Sequence, residues 1–243
     1  MLLYQHNKET VKRTGVHSSF MGETHIKRVL SVNVGLPKEV RVRGDVVLTG
    51  IFKSPVEGKL ALRGYNLEGD RQADLTAHGG PYKAVYAYPS EHYIYWAAQL
   101  PGFDLPPGVF GENLTTEGMD EEAVHIGDRF RIGSAIVQVA QPRMPCFKLG
   151  IRFGRPEMVK KFWNSNRSGI YFSVAAEGEL QRGDEIHQLD EDPQRVSVAD
   201  IVRLYKGEIF DRELIGRALK SPLHGSWKTG IRSWLEEFPE QFG

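Results

Sequence analysis

Short runs of alternating apolar and polar residues fill the first two thirds of the chain. Residues 27–32 and 40–52 both show this alternation, and Gly44-Asp45 interrupts the second run. A period of two residues, broken by turn residues, predicts short β-strands joined by tight turns. The same pattern predicts strands over residues 84–88, 129–132, 135–140 and 171–175, with Gly-Asp turns at 127–128 and 183–184.

The last 50 residues change to helical spacing. Val198, Ile201, Val202 and Tyr205 recur at the interval of one helix face, Ser197 and Asp200 form a capping pair, and Gly207 supplies the stop. Two further apolar faces follow, formed by Leu214, Ile215, Ala218 and Leu219 and then by Trp227, Ile231, Trp234, Leu235 and Phe238. Shorter helices are predicted after Ser90 and over residues 156–163.

These elements predict an α+β protein that is mainly β, with a barrel or folded-over sheet as its body. We predict a loose N-terminal extension over residues 1–25, a β-barrel body over 26–194 and a three-helix domain over 195–243. Three helices this short are marginal alone in water, so they are expected to pack on the body or on a partner chain. An internal core is favoured for their aromatic residues, and a homodimer contact is the alternative.

Composition narrows the class of function. The 31 basic and 31 acidic residues leave a formal net charge of zero, which argues against nucleic-acid and membrane-surface binding. No apolar run is long enough to span a bilayer. The single cysteine excludes an intramolecular disulfide, which fits a reducing compartment, and we therefore expect a cytoplasmic protein.

That cysteine, Cys146, is the first candidate for chemistry. Pro142 and Pro145 precede it and prevent regular pairing, so it follows a strand end on a stiff loop. Arg143 and Lys148 are close enough in sequence to lower its pKa and favour the thiolate, which attacks substrates or binds metals. A free cysteine is also often a small buried hydrophobe, and its local sequence leaves both interpretations open.

Two polar segments are further candidates. Residues 69–83 combine Asp70, His78 and Lys83 with Gly79-Gly80, where a backbone can approach a ligand. A turn leading into a strand is the simpler explanation of the glycines taken alone. Residues 110–114, with Glu112 and Asn113, form either part of a site or an ordinary turn. Side chains alone offer no zinc-type spacing, and no nucleophile signature supports a Cys–His hydrolase.

Together these segments resemble the MOSC family, the domain shared with the C-terminal part of molybdenum-cofactor sulfurases, and within it the YiiM-type branch. The matching stretches are Thr49-Gly50-Ile51-Phe52-Lys53, Leu67-Glu68-Gly69-Asp70 with Gln72-Ala73-Asp74, His78-Gly79-Gly80, Lys83-Ala84-Val85, Tyr88-Pro89-Ser90-Glu91-His92-Tyr93, Phe110-Gly111-Glu112-Asn113-Leu114, and Gln141-Pro142-Arg143 with Pro145-Cys146. The C-terminal helices resemble the small helical domain of this branch. Tyr82 departs from the family, which often has a small acidic residue there, and residues 1–21 have no counterpart.

The resemblance implies a barrel-like body that binds a molybdopterin-type cofactor, with Cys146 as the protein ligand to molybdenum. A soft thiolate suits a metal that pterin sulfurs already hold. The resemblance places Asp70 in the same site. Candidate contacts to the cofactor phosphate are Lys53, Lys83 and Arg143, the backbone of Gly79-Gly80 would approach the pterin, and His78, Glu112 and Asn113 would bind its ring edges. The family is also associated with pyridoxal phosphate binding.

The function implied by the resemblance is reduction of N-hydroxylated compounds, such as 6-hydroxylaminopurine, to amines, which detoxifies base analogues. The chain has no Gly-x-Gly-x-x-Gly fingerprint for a flavin or nicotinamide, so an external flavoprotein or similar donor must supply electrons. Two alternatives stay open. One is a carrier of cofactor or of sulfur on Cys146, and the other is an interaction module with an inert cysteine.

Overall fold

A computed structural model describes residues 26–75 and 79–237 of the chain. The predictions for residues 1–25, His78 and Phe238 therefore lie outside the described residues. The strands are β1 (Arg28–Val34), β2 (Lys38–Val42), β3 (Asp45–Thr49), β4 (Ser54–Val56), β5 (Leu60–Arg63), β6 (Asn66–Leu67), β7 (Val85–Pro89), β8 (Leu114–Glu117), β9 (Arg129–Ile132), β10 (Ala135–Pro142), β11 (Ile170–Ala176), β12 (Gly178–Leu180) and β13 (Ile186–Asp190).

Eight of these strands form one sheet in the order β13-β9-β10-β11-β7-β8-β1-β4. Its neighbours run antiparallel except β7 and β8, which are parallel. β12, β5 and β6 form a second sheet, and β2 with β3 form a hairpin. The mixed α+β class predicted from the sequence is confirmed.

The expectation of a closed barrel needs correction. The large sheet curls until the start of β1 meets the segment before β13, where Val29 donates its N–H to the carbonyl of Asp184 at 2.9 Å. Gly183 donates to the Val29 carbonyl at 2.8 Å, and Ile186 donates to the Lys27 carbonyl at 2.7 Å. Arg28 and Glu185 form an isolated bridge there, but no ladder joins β13 to β4 in the described chain. The sheet is therefore strongly curled but open.

The hairpin turn also lies one residue earlier than predicted. Asp45 already belongs to β3 and is paired with Val42, so Arg43 and Gly44 make the turn. Both have positive φ angles, 51° and 97°, as a two-residue hairpin turn of this hand requires. Glycine at the second position provides that geometry without strain.

Six helices are described: α1 (Glu91–Gln99), α2 (Phe147–Phe153), α3 (Met158–Asn164), α4 (Val198–Lys206), α5 (Arg212–Lys220) and α6 (Gly225–Glu237). A 3-10 turn covers Pro81–Lys83. The capping pair at α4 is confirmed, since the Ser197 hydroxyl accepts from the Asp200 N–H and the Asp200 carboxylate accepts from the Ser197 N–H. Gly207 ends α4 in the left-handed conformation.

The helical tail shares a hydrophobic core with the large sheet. Buried Ile201, Ile215 and Trp227 belong to the same cluster as the sheet residues Val137 and Phe172. The chain also enters the tail through backbone hydrogen bonds, from Ile126 to Val196 and from Val198 to Val124, both 2.9 Å. The tail therefore packs on the body, while its status as a separate domain stays a prediction.

A second, aromatic core lies between α1, α3 and the loop before β8. Trp96, Phe110 and Phe162 pack around Tyr88, whose hydroxyl accepts a 2.7 Å hydrogen bond from the Trp96 indole. This cluster fixes the loop that carries Glu112 and Asn113. Separately, across residues 26–75 and 79–237, no helix combines the length and apolar character needed to cross a membrane.

Candidate functional site

An open cavity of about 580 Å³, its mouth included, brings together segments that are distant in sequence. The loop after β3 contributes one wall and residues 70–73 a second. The end of β10 and the start of α2 complete the site. The lining residues are Thr49, Gly50, Ile51, Lys53, Asp70, Arg71, Gln72, Ala73, Lys83, Tyr86, Gly111, Asn113, Arg143, Cys146, Lys148 and Tyr171. Six of the residues predicted from the sequence thus converge: Lys53, Asp70, Lys83, Asn113, Arg143 and Cys146.

The innermost polar group is a buried pair between the Lys53 ammonium and the Asp70 carboxylate. Asp70 also accepts from the Gly35 N–H and from the Asn113 side-chain amide, both at 2.9 Å. Burial lowers the pKa of Lys53, and the adjacent Asp70 counteracts part of that shift. These contacts hold Asp70 in place and leave the Lys53 side chain at the cavity wall.

Asn113 joins this pair to the large sheet. Its side-chain oxygen accepts a hydrogen bond from the Tyr86 backbone N–H at 3.1 Å, and its backbone N–H donates to the Tyr86 carbonyl at 2.7 Å. The side-chain amide binds Asp70 and the Asn33 carbonyl. Asn113 is therefore fully engaged with protein atoms, so its role here is to orient Asp70, and direct binding to a ligand ring stays untested.

Arg143 packs against aromatic rings on one side of the cavity. Its guanidinium lies 4.6 Å from the ring centre of Tyr86 and 5.5 Å from that of Phe162, and it donates to the Phe110 carbonyl. The Tyr86 hydroxyl donates to the Ser168 carbonyl at 2.8 Å, and burial raises the pKa of Tyr86 well above its ordinary value. The result is a rigid, buried cation beside the hollow.

Cys146 lies where the Pro-rich loop meets α2. Its backbone is extended, and its side chain is partly buried, so the sulfur is neither sealed in the core nor fully in solvent. Lys83 and Arg143 interact with it electrostatically. Burial lowers the pKa of Lys83, an effect that Cys146 opposes. Cys146 therefore lines the cavity and interacts with two cationic side chains.

Glu112, which the sequence predicts to bind a ligand edge, is absent from the cavity lining. Its side chain is fully buried, and its carboxylate accepts from the Gly108 N–H at 2.7 Å, the Phe110 N–H at 3.1 Å and the hydroxyls of Thr115 and Tyr93. Burial raises the pKa of Glu112. The residue shapes the loop before β8 and so supports the wall from behind.

The glycine pair is also placed differently. Gly79 and Gly80 are absent from the cavity lining, and His78 lies outside the described residues. Gly80 has a φ of 91° and begins the 3-10 turn that positions Lys83. Its conformation therefore serves the turn, and a direct backbone approach to a ligand stays a prediction.

Two other glycines, which were not singled out as site residues, build the wall. A Cβ atom on Gly50 would lie 2.5 Å from the Arg71 carbonyl oxygen, and one on Gly111 would lie 2.8 Å from Ile51 Cγ1. Both positions require glycine because two segments pass very close there. Their presence in the matching stretches was the available signal. Sequence reasoning also did not assign Arg71, Gln72, Tyr86 or Tyr171 to the site, and it linked Lys148 only to the thiol of Cys146.

The side chains that line the cavity suit a cofactor whose metal is already held by the cofactor's own atoms. Within the described ranges, no group of three or more His, Cys, Asp or Glu side chains could hold a metal ion by itself. One accessible thiol is available, surrounded by five cations and one acidic lining residue, Asp70. A soft sulfur beside several cations suits an anionic chelate that carries a thiophilic metal.

Comparison with known proteins identifies the family. The MOSC domain family matches residues 74–187. YflK of Bacillus subtilis, described as uncharacterized, is 42% identical over 204 residues, covering 84% of this chain and 92% of YflK. The chain belongs to the MOSC domain family.

Two further similarities concern the fold and a relative whose name states an activity. The crystal structure of YiiM from Geobacillus stearothermophilus has a TM-score of 0.69 and 32% identity, covering 89% of this chain and all of that one. A protein named "Reductase" from Gibberella moniliformis is 30% identical over 219 residues, which are 88% of this chain but 38% of that protein. The MOSC chain thus has a YiiM-like fold.

Proposed function

We propose that this MOSC protein is a molybdenum-cofactor-dependent reductase of N-hydroxylated compounds, including hydroxylamino bases such as 6-hydroxylaminopurine. The observation that carries the proposal is the convergence on one open cavity of a partly buried thiol and several cations from segments far apart in sequence. The MOSC domain is a molybdenum-cofactor-binding family, and the relative named "Reductase" supports redox chemistry.

The cofactor supplies two-electron oxygen-atom transfer chemistry when it is bound. The overall reaction takes R–NHOH, two electrons and two protons to R–NH₂ and water, so the N–O bond breaks and the oxygen leaves as water. Cys146 is the side chain that would hold the metal. Arg143 and Lys83 would bind the anionic part of the cofactor. Gly50 and Gly111 let the wall segments pack closely beside that part of the cavity.

The reaction needs protons and electrons from elsewhere. The Lys53 ammonium lies at the cavity wall and is held by Asp70, so it is placed to keep a proton inside the site. Electrons would come from an external donor of the flavoprotein type. The single cysteine and this reductive chemistry both suit the cytoplasm, which we include in the proposal.

The first test measures molybdenum and turnover in the same preparation. Protein from a cofactor-replete host should contain molybdenum by elemental analysis and should reduce 6-hydroxylaminopurine with reduced methyl viologen. Cys146→Ala should lose both while keeping the far-ultraviolet circular dichroism of the parent. Met144→Ala is the matched control, because it changes the same loop outside the cavity lining.

The outcomes separate the alternatives. Molybdenum without turnover would favour a carrier and refute the reductase. Parent protein without molybdenum after cofactor-replete expression would refute the cofactor assignment. Equal turnover by Cys146→Ala and the parent would show that this sulfur is not the metal ligand.

A further inference from the structure

Exposed apolar residues lie next in sequence to residues that line the Cys146 cavity. Met144 and Phe147 flank the loop position of Cys146 and are 47% and 59% exposed. We define the apolar rim as the five exposed apolar residues within two positions of a lining residue, namely Leu48, Leu75, Tyr82, Met144 and Phe147. Large apolar side chains gathered at one opening mark an interaction surface.

The charged side chains of the same mouth are mainly cationic. Lys53 and Arg143 are buried in the wall, where they face the interior of the cavity. Arg71, in contrast, is exposed, and Lys148 is partly exposed. Partly exposed Asp74 is the nearest acidic neighbour in the described sequence, since Asp70 is buried against Lys53. A chain with no net charge thus concentrates positive charge here, which attracts an acidic partner.

The proposed function creates a need for such a partner, and the inference rests on that function. Each turnover consumes two electrons, which must reach the vicinity of Cys146. Because Cys146 is only partly buried and sits between rim residues, a donor docked at the rim could place its redox group close to the site. Electron-transfer complexes have small interfaces. The five rim residues and two cations are enough to form the centre of such an interface.

We propose that the apolar rim, together with Arg71 and Lys148, is the docking surface for an acidic electron-transfer flavoprotein. The substrate enters through the same mouth. Donor and substrate therefore bind alternately, and initial-rate plots should show the parallel lines of a ping-pong mechanism.

The test compares two reductants on the molybdenum-loaded protein. Reduced flavodoxin, an acidic FMN protein, serves as the partner probe, and reduced methyl viologen serves as a donor too small to need a docking surface. Met144→Glu and Phe147→Glu should each lower the ratio of flavodoxin-driven to viologen-driven kcat/KM by about tenfold or more, because a like charge enters the interface. Ile94→Glu is the matched control, since Ile94 is 78% exposed on α1. It should leave the ratio unchanged.

Binding provides a readout without turnover. Surface plasmon resonance with oxidised flavodoxin should show a Kd that rises with ionic strength and that increases in both rim variants. An unchanged ratio in the rim variants, a similar fall in Ile94→Glu, or no binding of flavodoxin to a protein that the viologen reduces would each overturn the docking surface. Absence of viologen-driven turnover in the parent would instead refute the proposed function, so the two failures are distinct.

Discussion

Removing the Asp70 carboxylate tests how the cavity wall is held together. In the folded chain this carboxylate is about 1% exposed and binds the Lys53 ammonium, the Gly35 N–H and the Asn113 amide. Asp70→Ala leaves the buried Lys53 charge without its partner and two donors without an acceptor. Breaking a buried pair from one side costs about 3–5 kcal/mol of unfolding free energy. For a chain of this size that corresponds to a fall in Tm of about 6–20 °C.

Urea unfolding followed by circular dichroism measures the loss. Asp190→Ala is the control, since Asp190 pairs with Arg129 at an exposed position and should cost less than about 1 kcal/mol. A double-mutant cycle with Lys53→Met isolates the pair, because the methionine fills similar space without the charge. The reasoning would be refuted by a cost for Asp70→Ala as small as that of the control, or by a coupling energy near zero.

Three further predictions concern single side chains. Gly50→Ala should lower the unfolding free energy by about 1–3 kcal/mol, because the new Cβ would collide with the Arg71 carbonyl. Gly216→Ala on α5, where a Cβ meets nothing within 4 Å, should raise it by about 0.5–1 kcal/mol. Urea unfolding that showed a gain for Gly50→Ala or a loss for Gly216→Ala would contradict the packing described. Burial raises the pKa of Glu112 above its ordinary 4.5. The stability of the parent relative to Glu112→Gln should therefore be greatest below pH 4.5 and should fall as the pH rises through the raised pKa. Denaturation of both proteins between about pH 4 and about pH 8 measures this difference. Burial and then Lys83 lower the pKa of His224, so Lys83→Met should move that pKa upward in an NMR titration, and an unchanged midpoint would show that the two groups do not interact.

The helical tail could be predicted because its signals are local. The 3.6-residue spacing, the Ser197–Asp200 capping pair and Gly207 all lie within ten positions, and α4 forms between them. α2 was missed because Phe147–Phe153 is short and follows a proline-rich loop, so its apolar spacing is too brief to detect.

In the large sheet, the positions of several strands were predictable from the sequence but their order was not. β9 was predicted with its observed bounds, and the strands near residues 84–88 and 171–175 were placed within two residues. Their order was not predictable, since the parallel pairing of β7 with β8 joins residues that a helix and a long loop separate. β4 and β6 have only three and two residues, too few to show alternation.

The site was predicted as a set of segments more accurately than as a set of contacts. Sequence identified residues 110–114 as important, but a local pattern does not show that Glu112 turns inward while Gly111 faces the hollow. Tyr86 and Tyr171 were predicted only as strand residues, because their place beside Arg143 depends on sheet order.

The way the chain enters its tail has a consequence for shortened forms of the protein. None of the described residues after Val196 lines the Cys146 cavity. The helical tail nevertheless covers one side of the sheet, because it is joined there by backbone hydrogen bonds at Val196 and Val198 and by the shared core. A polypeptide stopped near residue 195 would expose that side to water and collapse or aggregate. The C-terminal fifth of the sequence thus stabilises the sheet behind a cavity whose walls it does not form.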